Sequence, residues 1–239
     1  VAVNLWYHVG SKDEPAGKTG FAHLFEHLMF NGSEHHDDEF FRPLESAGAS
    51  DINGTTNVDR TNFYETVPTG ALDLALWLES DRMGNLLPAV TQAKLDEQRG
   101  VVKNEKRQRE AAPYAKVDEL IVQNSYPAGH PYSWTTIGSM EDLDRASLED
   151  VRAWFKKYYG PNNATLVIAG DIGFEQAVQK AEHFFGGIAP AAGVRRRAQW
   201  VAPFTEARRI EAYDRVTQAR IYRLWNVPKR GSEDALLLS

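Results

Sequence analysis

Two histidines and a glutamate stand within five residues of an otherwise apolar stretch, FAHLFEHLMF, at residues 21–30. The apolar residues of this stretch recur at helical spacing, which predicts a helix. Positions i and i+4 of a helix lie on one face, so His23 and His27 are expected side by side, with Glu26 at the same edge. Two neutral imidazoles form a good partial site for zinc, and Glu26 is then free to act as general base on a zinc-bound water.

The pattern H-x-x-E-H reverses the commoner H-E-x-x-H signature and is known as the inverzincin motif. Because a catalytic zinc takes three protein ligands and keeps one open position, a third ligand is expected downstream. A charged helix predicted over residues 91–110 offers Glu97, Glu105 and Glu110, and their spacing leaves all three open. The alternative interpretation of the motif is a surface helix with scattered polar residues. For each of the three glutamates, the alternative is a solvated side chain on a charged helix.

The elements that must position these residues are a mixture of strands and helices. Apolar–polar alternation or short apolar runs predict strands, and apolar residues at helical spacing predict helices. The predicted strands lie at 1–10, in a pair within 51–68, in a buried strand within 160–172, and at 208–216 and 218–228. The predicted helices lie at 20–30, around 38–48, and at 71–86, 91–110, 147–159 and 174–187. Strands and helices do not alternate regularly, which favours an α+β fold with a mixed, largely antiparallel sheet flanked by helices.

Composition restricts the function classes further. The 239 residues carry a net charge of −6, which argues against a nucleic-acid-binding protein, and no apolar run is long enough for membrane insertion. The chain has no cysteine, so a metal must be held by histidine and carboxylate. It begins on Val1 inside a predicted strand and ends inside a predicted helix, so we expect a fragment of a longer protein.

Several sequence blocks together resemble the pitrilysin/insulinase family of zinc metallopeptidases. In chain order they are HLFEH followed by MFNGS, then NGTTNVDRTNFYETVP, VVKNE and YYGPNNATLVIAGDI. The resemblance implies that Asn53, Gly54 and Thr55, with the following Thr56, lie on an edge strand where a peptide substrate pairs as an added strand. Backbone pairing of this kind gives affinity without reading the substrate sequence.

The resemblance also implies a role for each residue of the motif. His23 and His27 match the two histidine ligands, Glu26 matches the base, and Glu105 matches the glutamate that completes a site for one zinc ion per chain. Gln98 departs from the pattern, because many relatives carry a glutamate at that position. The implied activity is that of a zinc-dependent endopeptidase acting on peptides or unfolded polypeptide segments; the alternative is a non-catalytic subunit of the same fold that binds peptide or supports a catalytic partner.

The same resemblance sets expectations for the wider architecture. Residues 1–190 are expected to form a zinc-binding catalytic α+β domain, one half of a clamshell-type peptidase. Residues 191–239 are expected to hold a linker and strands that continue the domain or begin the next segment. A homologous C-terminal half or a partner subunit would close the chamber, so the isolated fragment is expected to be weak or inactive. Resemblance to exported bacterial relatives favours a periplasmic or exported protein, with a cytoplasmic one as the alternative.

Two further clusters are interpreted as surface features. His35 and His36 precede Asp37 and Asp38 and offer metal-binding side chains, but adjacent histidines rarely converge on one ion, which favours a solvated loop. The run Arg195–Arg197 is interpreted as a solvated linker patch, because the chain as a whole is acidic.

Overall fold

A four-stranded antiparallel sheet with strand order β2-β3-β1-β4 is the centre of the computed structural model, which describes residues 1–194, 198, 200–229 and 231–237. Its strands are β1 (Ala2–Tyr7), β2 (Ser50–Thr56), β3 (Thr61–Thr66) and β4 (Ala164–Ala169). β1 pairs with β3 and β4, and β2 pairs with β3 alone, so β2 and β4 form the two edges. The predicted α+β class with a largely antiparallel sheet is confirmed.

α-Helices form most of the remaining regular structure. They are α1 (Phe21–Leu28), α2 (Phe41–Ser46), α3 (Leu72–Asn85), α4 (Gln92–Glu110), α5 (Lys116–Ser125), α6 (Met140–Arg145), α7 (Leu148–Tyr158), α8 (Phe174–Phe185) and α9 (Glu233–Leu237). The helices α5 and α6 were not predicted, since the sequence there is rich in polar residues and loop signals. None of the helices in the described part of the chain is both long and apolar enough to cross a membrane.

Strand β1 shows how the alternating pattern builds the core. Val3, Leu5 and Tyr7 point to one face and are at most 1% exposed, while Trp6 between them is 38% exposed. Strand β4 behaves differently from the prediction of a buried strand, which is wrong: it is an edge strand, and Val167 on its outer face is 50% exposed. An apolar run in the sequence does not distinguish a central strand from an edge strand.

Helix α1 packs into the core through Leu24, Phe25 and Leu28, each at most 1% exposed. The Phe25 ring lies 4.5 Å from the Tyr159 ring, measured between centroids. Burying side chains of this size contributes about 1.5–3 kcal/mol each to stability, so the apolar stripe holds the polar edge of the helix firmly in place.

The predicted strands at 208–216 and 218–228 are wrong for the described residues, because no strand lies between residues 200 and 229. Their apolar side chains are largely in solvent, with Ile221 83% and Trp225 72% exposed. A strand forms only when a neighbouring strand takes up its backbone hydrogen bonds, and these segments have no such partner within the described residues. The run Arg195–Arg197 lies outside the described residues.

Candidate metal centre

Helix α1 brings His23, Glu26 and His27 to one edge, as their spacing predicts. The two imidazole rings lie 4.8 Å apart between centroids, at 90° to each other. His23 is 9% exposed and Glu26 7%, although both side chains are polar. The edge of α1 therefore presents buried polar groups, which require a partner of their own.

Glu105 supplies that partner from α4, which packs against α1. Its Oε2 atom lies 3.5 Å from Nε2 of His23 and 3.6 Å from Nε2 of His27. One ligand atom from each of the three residues lies within 4.8 Å of the other two. Of the alternatives on the same helix, Glu110 pairs with Lys106 at 3.0 Å and Glu97 is exposed. Within the described residues, neither joins a group of possible metal ligands.

These distances fit a shared ion better than direct hydrogen bonds. Ligands about 2.0–2.2 Å from a tetrahedral zinc stand roughly 3.3–3.6 Å from one another, which is close to the two nitrogen–oxygen separations. Burial lowers the pKa of His23 well below its ordinary value, and the neighbouring His27 lowers it further. Burial also lowers the pKa of His27. Both imidazoles are therefore neutral near pH 7, the form that binds a metal.

Glu26 lies beside this cluster without joining it. The Thr56 hydroxyl donates a short hydrogen bond to Glu26 Oε2 and so fixes the carboxylate from strand β2. Burial raises the pKa of Glu26 to about 7, and the hydrogen bond from Thr56 opposes that shift. A carboxylate placed at the edge of the cluster and open to the same cleft has the position that a general base requires.

The cluster opens on a cleft of about 570 Å³, whose lining includes Asn53, Gly54 and Thr55 of the edge strand β2. At Gly54, an added Cβ would lie 2.8 Å from Phe30 and 2.9 Å from Phe63, so only glycine fits there without movement. The amide of Gly54 donates to Asn53 Oδ1 at 2.8 Å. The structure therefore places the predicted substrate strand on a sheet edge beside the cluster.

Arg109 and Thr136 at the site were not identified from the sequence, whereas Gln98 was noted there as a departure from the family pattern. Arg109 forms an ion pair with Glu105, and their i,i+4 spacing on a helix is a signal that could have indicated it. Gln98 lines the cleft and donates to Asn31 Oδ1 at 3.3 Å. Thr136 also lines the cleft from a loop after α5, and no local pattern indicates such a long-range contact.

The loop histidines lie apart from this centre. His35 Nδ1 is 2.6 Å from Oδ1 of Asp81, which belongs to α3. The side chain of His35 is 58% exposed. Asp37 pairs with Lys94 on α4. Among the described residues, His35, His36, Asp37 and Asp38 form no group of possible metal ligands, so the four do not converge on one ion.

The chain belongs to the insulinase family, peptidase family M16, whose model matches residues 1–135. A second model, described as the peptidase M16 inactive domain, matches residues 145–239. The chain is similar to the zinc protease PqqE of Helicobacter pylori, with 30% identity over 79% of this chain and 42% of that protein. It is also similar to the probable mitochondrial-processing peptidase subunit beta of Schizosaccharomyces pombe, with 27% identity over 77% of this chain and 39% of that protein.

Solved structures share the fold. A protease from Helicobacter pylori superposes with a TM-score of 0.77 at 28% identity, covering 83% of this chain and 47% of that one. The first half of the periplasmic protease PqqL from Escherichia coli has a TM-score of 0.72 at 24% identity, covering 84% of this chain and 44% of that one. The chain thus spans less than half the length of each of these four proteins.

Proposed function

We propose that this chain forms the zinc-binding part of an endopeptidase that hydrolyses peptides or unfolded polypeptide segments. The observation that carries the proposal is the convergence of His23, His27 and Glu105 from two helices on one point, at separations that suit a shared ion. In this proposal the three side chains hold one zinc ion per chain. Relatives that are named zinc proteases support the choice of metal.

The residues around the ion transfer the proton and hold the base in position. The chemistry that a bound zinc supplies is Lewis-acid polarisation of a carbonyl. Glu26 takes a proton from the attacking water and passes it to the leaving amine, so one carboxylate serves first as base and then as acid. Thr56 holds Glu26 in place for both steps through its hydroxyl.

The substrate in this proposal lies along strand β2. A strand at the edge of a sheet has backbone groups available for an extended peptide, and Asn53, Gly54 and Thr55 border the cleft. Backbone pairing suits an extended peptide substrate rather than a nucleic acid. The net charge of −6 also disfavours a nucleic-acid partner.

In this proposal the complete enzyme includes a further half or subunit besides the 239 residues of this chain. Residues 1–190 form the catalytic unit in this proposal, and residues 191–239 continue that domain or begin the next segment. A homologous half or a partner subunit closes the chamber over the cleft, so the isolated chain turns over peptides weakly. An exported, periplasmic location is favoured, since the similar protease PqqL is described as periplasmic; a cytoplasmic location is the alternative.

The test compares Glu26→Gln with wild type in the full-length protein, using zinc content and cleavage of a mixed peptide pool. The variant should keep stoichiometric zinc and lose cleavage, because the amide cannot accept the proton. The control is Glu97→Gln, an exposed glutamate on α4, which should retain both. Undiminished cleavage by Glu26→Gln would refute the role of Glu26, and a wild-type protein that holds zinc but cleaves nothing in the pool would support a non-catalytic subunit instead.

A further inference from the structure

Helix α1 begins without a cap of its own. The residue before it, Gly20, has a φ of +87° and no side chain that could accept a hydrogen bond. The first N–H groups of a helix need acceptors from elsewhere, particularly when the helix end is buried. Glu14 supplies one of these acceptors, since its Oε1 accepts from the amide of Ala22 at 2.8 Å. Its Oε2 accepts from the amide of Gly20, the residue just before the helix, at 3.2 Å.

The same carboxylate also holds the loop that forms one side of the cleft. Glu14 Oε2 accepts from the indole Nε1 of Trp134 at 2.8 Å. Two and three residues later, Thr136 and Ile137 line the cleft. Glu14 therefore binds the start of the metal-bearing helix and the base of this cleft wall at one point.

Backbone packing brings the loop at residues 134–138 into direct contact with the start of α1. A Cβ added to Gly138 would lie 2.2 Å from the backbone of Thr19, and one added to Gly20 would lie 2.5 Å from the carbonyl oxygen of Ile137. There is no room for a side chain between the loop and the start of α1. A shift of one segment is therefore transmitted to the other.

The placement of Glu14 is unfavourable for an ionisable side chain. It is 1% exposed, and burial raises its pKa to about 8, although the three N–H donors favour the carboxylate. The positive end of the α1 dipole favours the carboxylate as well. Buried ionisable groups of this kind occur at functional sites more often than elsewhere.

We propose that Glu14 is a positioning residue of the metal centre, which sets the first turn of α1, and with it His23, against the cleft wall at residues 134–137. The inference rests on the proposed function, because it takes the group of His23, His27 and Glu105 to be a metal site. Glu14 contacts neither the metal ligands nor the cleft, so its effect passes through the backbone of α1. A displaced first turn would separate His23 from Glu105 while leaving His27, one turn later, in place.

The test measures zinc affinity and amide hydrogen exchange of the full-length protein for wild type, Glu14→Ala and Glu14→Gln. Both variants should bind zinc roughly tenfold more weakly, the scale seen when a group that orients a metal ligand is lost. The glutamine variant is included because it keeps the size of the side chain. At a pH above the pKa of Glu14, where wild type presents two carboxylate oxygens, it turns an NH₂ group toward the N–H donors. The amide of Ala22 should exchange faster in both variants, in the metal-free protein as well.

A matched control separates positioning from loss of stability. Leu76→Ala opens a cavity at α3 rather than at α4, α6 or β2, which pack most closely on α1, and should leave both zinc affinity and Ala22 exchange unchanged at a temperature where the protein is folded. Trp134→Phe removes one donor and keeps both bonds to α1, so it should weaken zinc binding less than Glu14→Gln does.

The outcomes distinguish the two proposals. If wild type binds no zinc, the proposed function fails, and faster exchange of Ala22 in Glu14→Gln would still support the role of Glu14 in fixing α1. If wild type binds zinc and Glu14→Gln binds it equally well, the positioning role is overturned. A loss of zinc affinity in Leu76→Ala as large as in Glu14→Gln would also overturn it, since the effect would then follow general stability.

Discussion

Two clusters of ionisable side chains in this protein have opposite surroundings. The metal centre, formed by His23, His27 and Glu105, opens on a cleft. The interior cluster, formed by Glu65, Glu79 and Arg82, is sealed in the core, with all three residues at most 1% exposed.

Within the interior cluster, Glu79 and Arg82 pair with each other, while Glu65 adds a second buried carboxyl group beside them. Arg82 Nε donates to Glu79 Oε2 at 2.9 Å, and a second, short hydrogen bond joins Arg82 Nη2 to Glu79 Oε1. The guanidinium carbon lies 3.7 Å from the ring centroid of Phe40 and 4.0 Å from that of Phe63. Such a paired, stacked arginine needs no ligand from outside.

The difference between the clusters shows what makes a buried charge a candidate for function. In the interior cluster every charge faces protein, so its consequence is stability or fold specificity. In the metal centre the nitrogen and oxygen atoms face each other across a gap that opens on the cleft, and in the proposed function a shared ion fills that gap. Residue types alone do not separate these cases; access from the cleft does.

The largest effect is expected from Arg82→Met, which removes the cation of the interior cluster. Breaking a buried ion pair on one side typically costs about 3–5 kcal/mol, because the remaining charge stays buried and unpaired. Urea unfolding of the metal-free protein should report a loss of that size. The control is Arg42→Met on α2, an exposed arginine, where a change within about 0.5 kcal/mol is expected. A loss below about 1 kcal/mol for Arg82→Met would show that the core accommodates Glu79 without its partner.

Glu105→Ala tests the metal centre in the same way. It should weaken zinc binding by more than the roughly 10–100-fold seen when an outer-shell partner is removed, because a ligand itself is lost. Competition with a chelator measures this directly. Glu110→Ala, on the same helix and paired only with Lys106 among the described contacts, should leave zinc affinity unchanged. Tight stoichiometric zinc in Glu105→Ala would exclude Glu105 as a ligand and restore the other glutamates of α4 as candidates.

The two clusters also differ in how far the sequence could predict them. The i,i+4 histidines and the intervening Glu26 define their own geometry, because a helix fixes which side chains share a face. Glu105 lies 78 positions beyond His27, and its spacing could not be distinguished from that of Glu97 or Glu110. Only the family resemblance selected it, since packing of α4 on α1 is a long-range contact.

The interior cluster was not predicted at all. Glu79 and Arg82 stand three residues apart on an amphipathic helix, which is the usual pattern of an exposed ion pair. Their burial follows from the aromatic rings of Phe40 and Phe63, which come from other elements. The prediction of strands at 208–216 and 218–228 was wrong for a related reason. An alternating pattern forms a strand only where a partner strand is available. Local patterns thus predicted most of the elements, while contacts between distant segments decided burial.

The smallest effect is expected from Glu65→Gln, which tests the titration of the interior cluster. Burial and the neighbouring Glu79 raise the pKa of Glu65 to about 9, above its ordinary value of 4.5. The folded protein therefore binds more protons than the unfolded chain between these pH values, so its free energy of unfolding falls as pH rises through that window. The contribution of this one group is on the order of 1 kcal/mol per pH unit.

Urea unfolding of the metal-free protein at about pH 6 and about pH 8 measures this slope. Glutamine is uncharged, so Glu65→Gln should lose this part of the decline and gain stability relative to wild type as pH rises. The decline from Glu14, whose pKa is also raised by burial, should persist in both proteins. Glu45→Gln, an exposed glutamate on α2, should follow the wild-type slope. Parallel slopes for wild type and Glu65→Gln would mean that Glu65 stays ionised in the folded protein. The sealed cluster would then hold two carboxylates against one arginine, and the distinction from the open metal centre would rest on access alone, not on protonation.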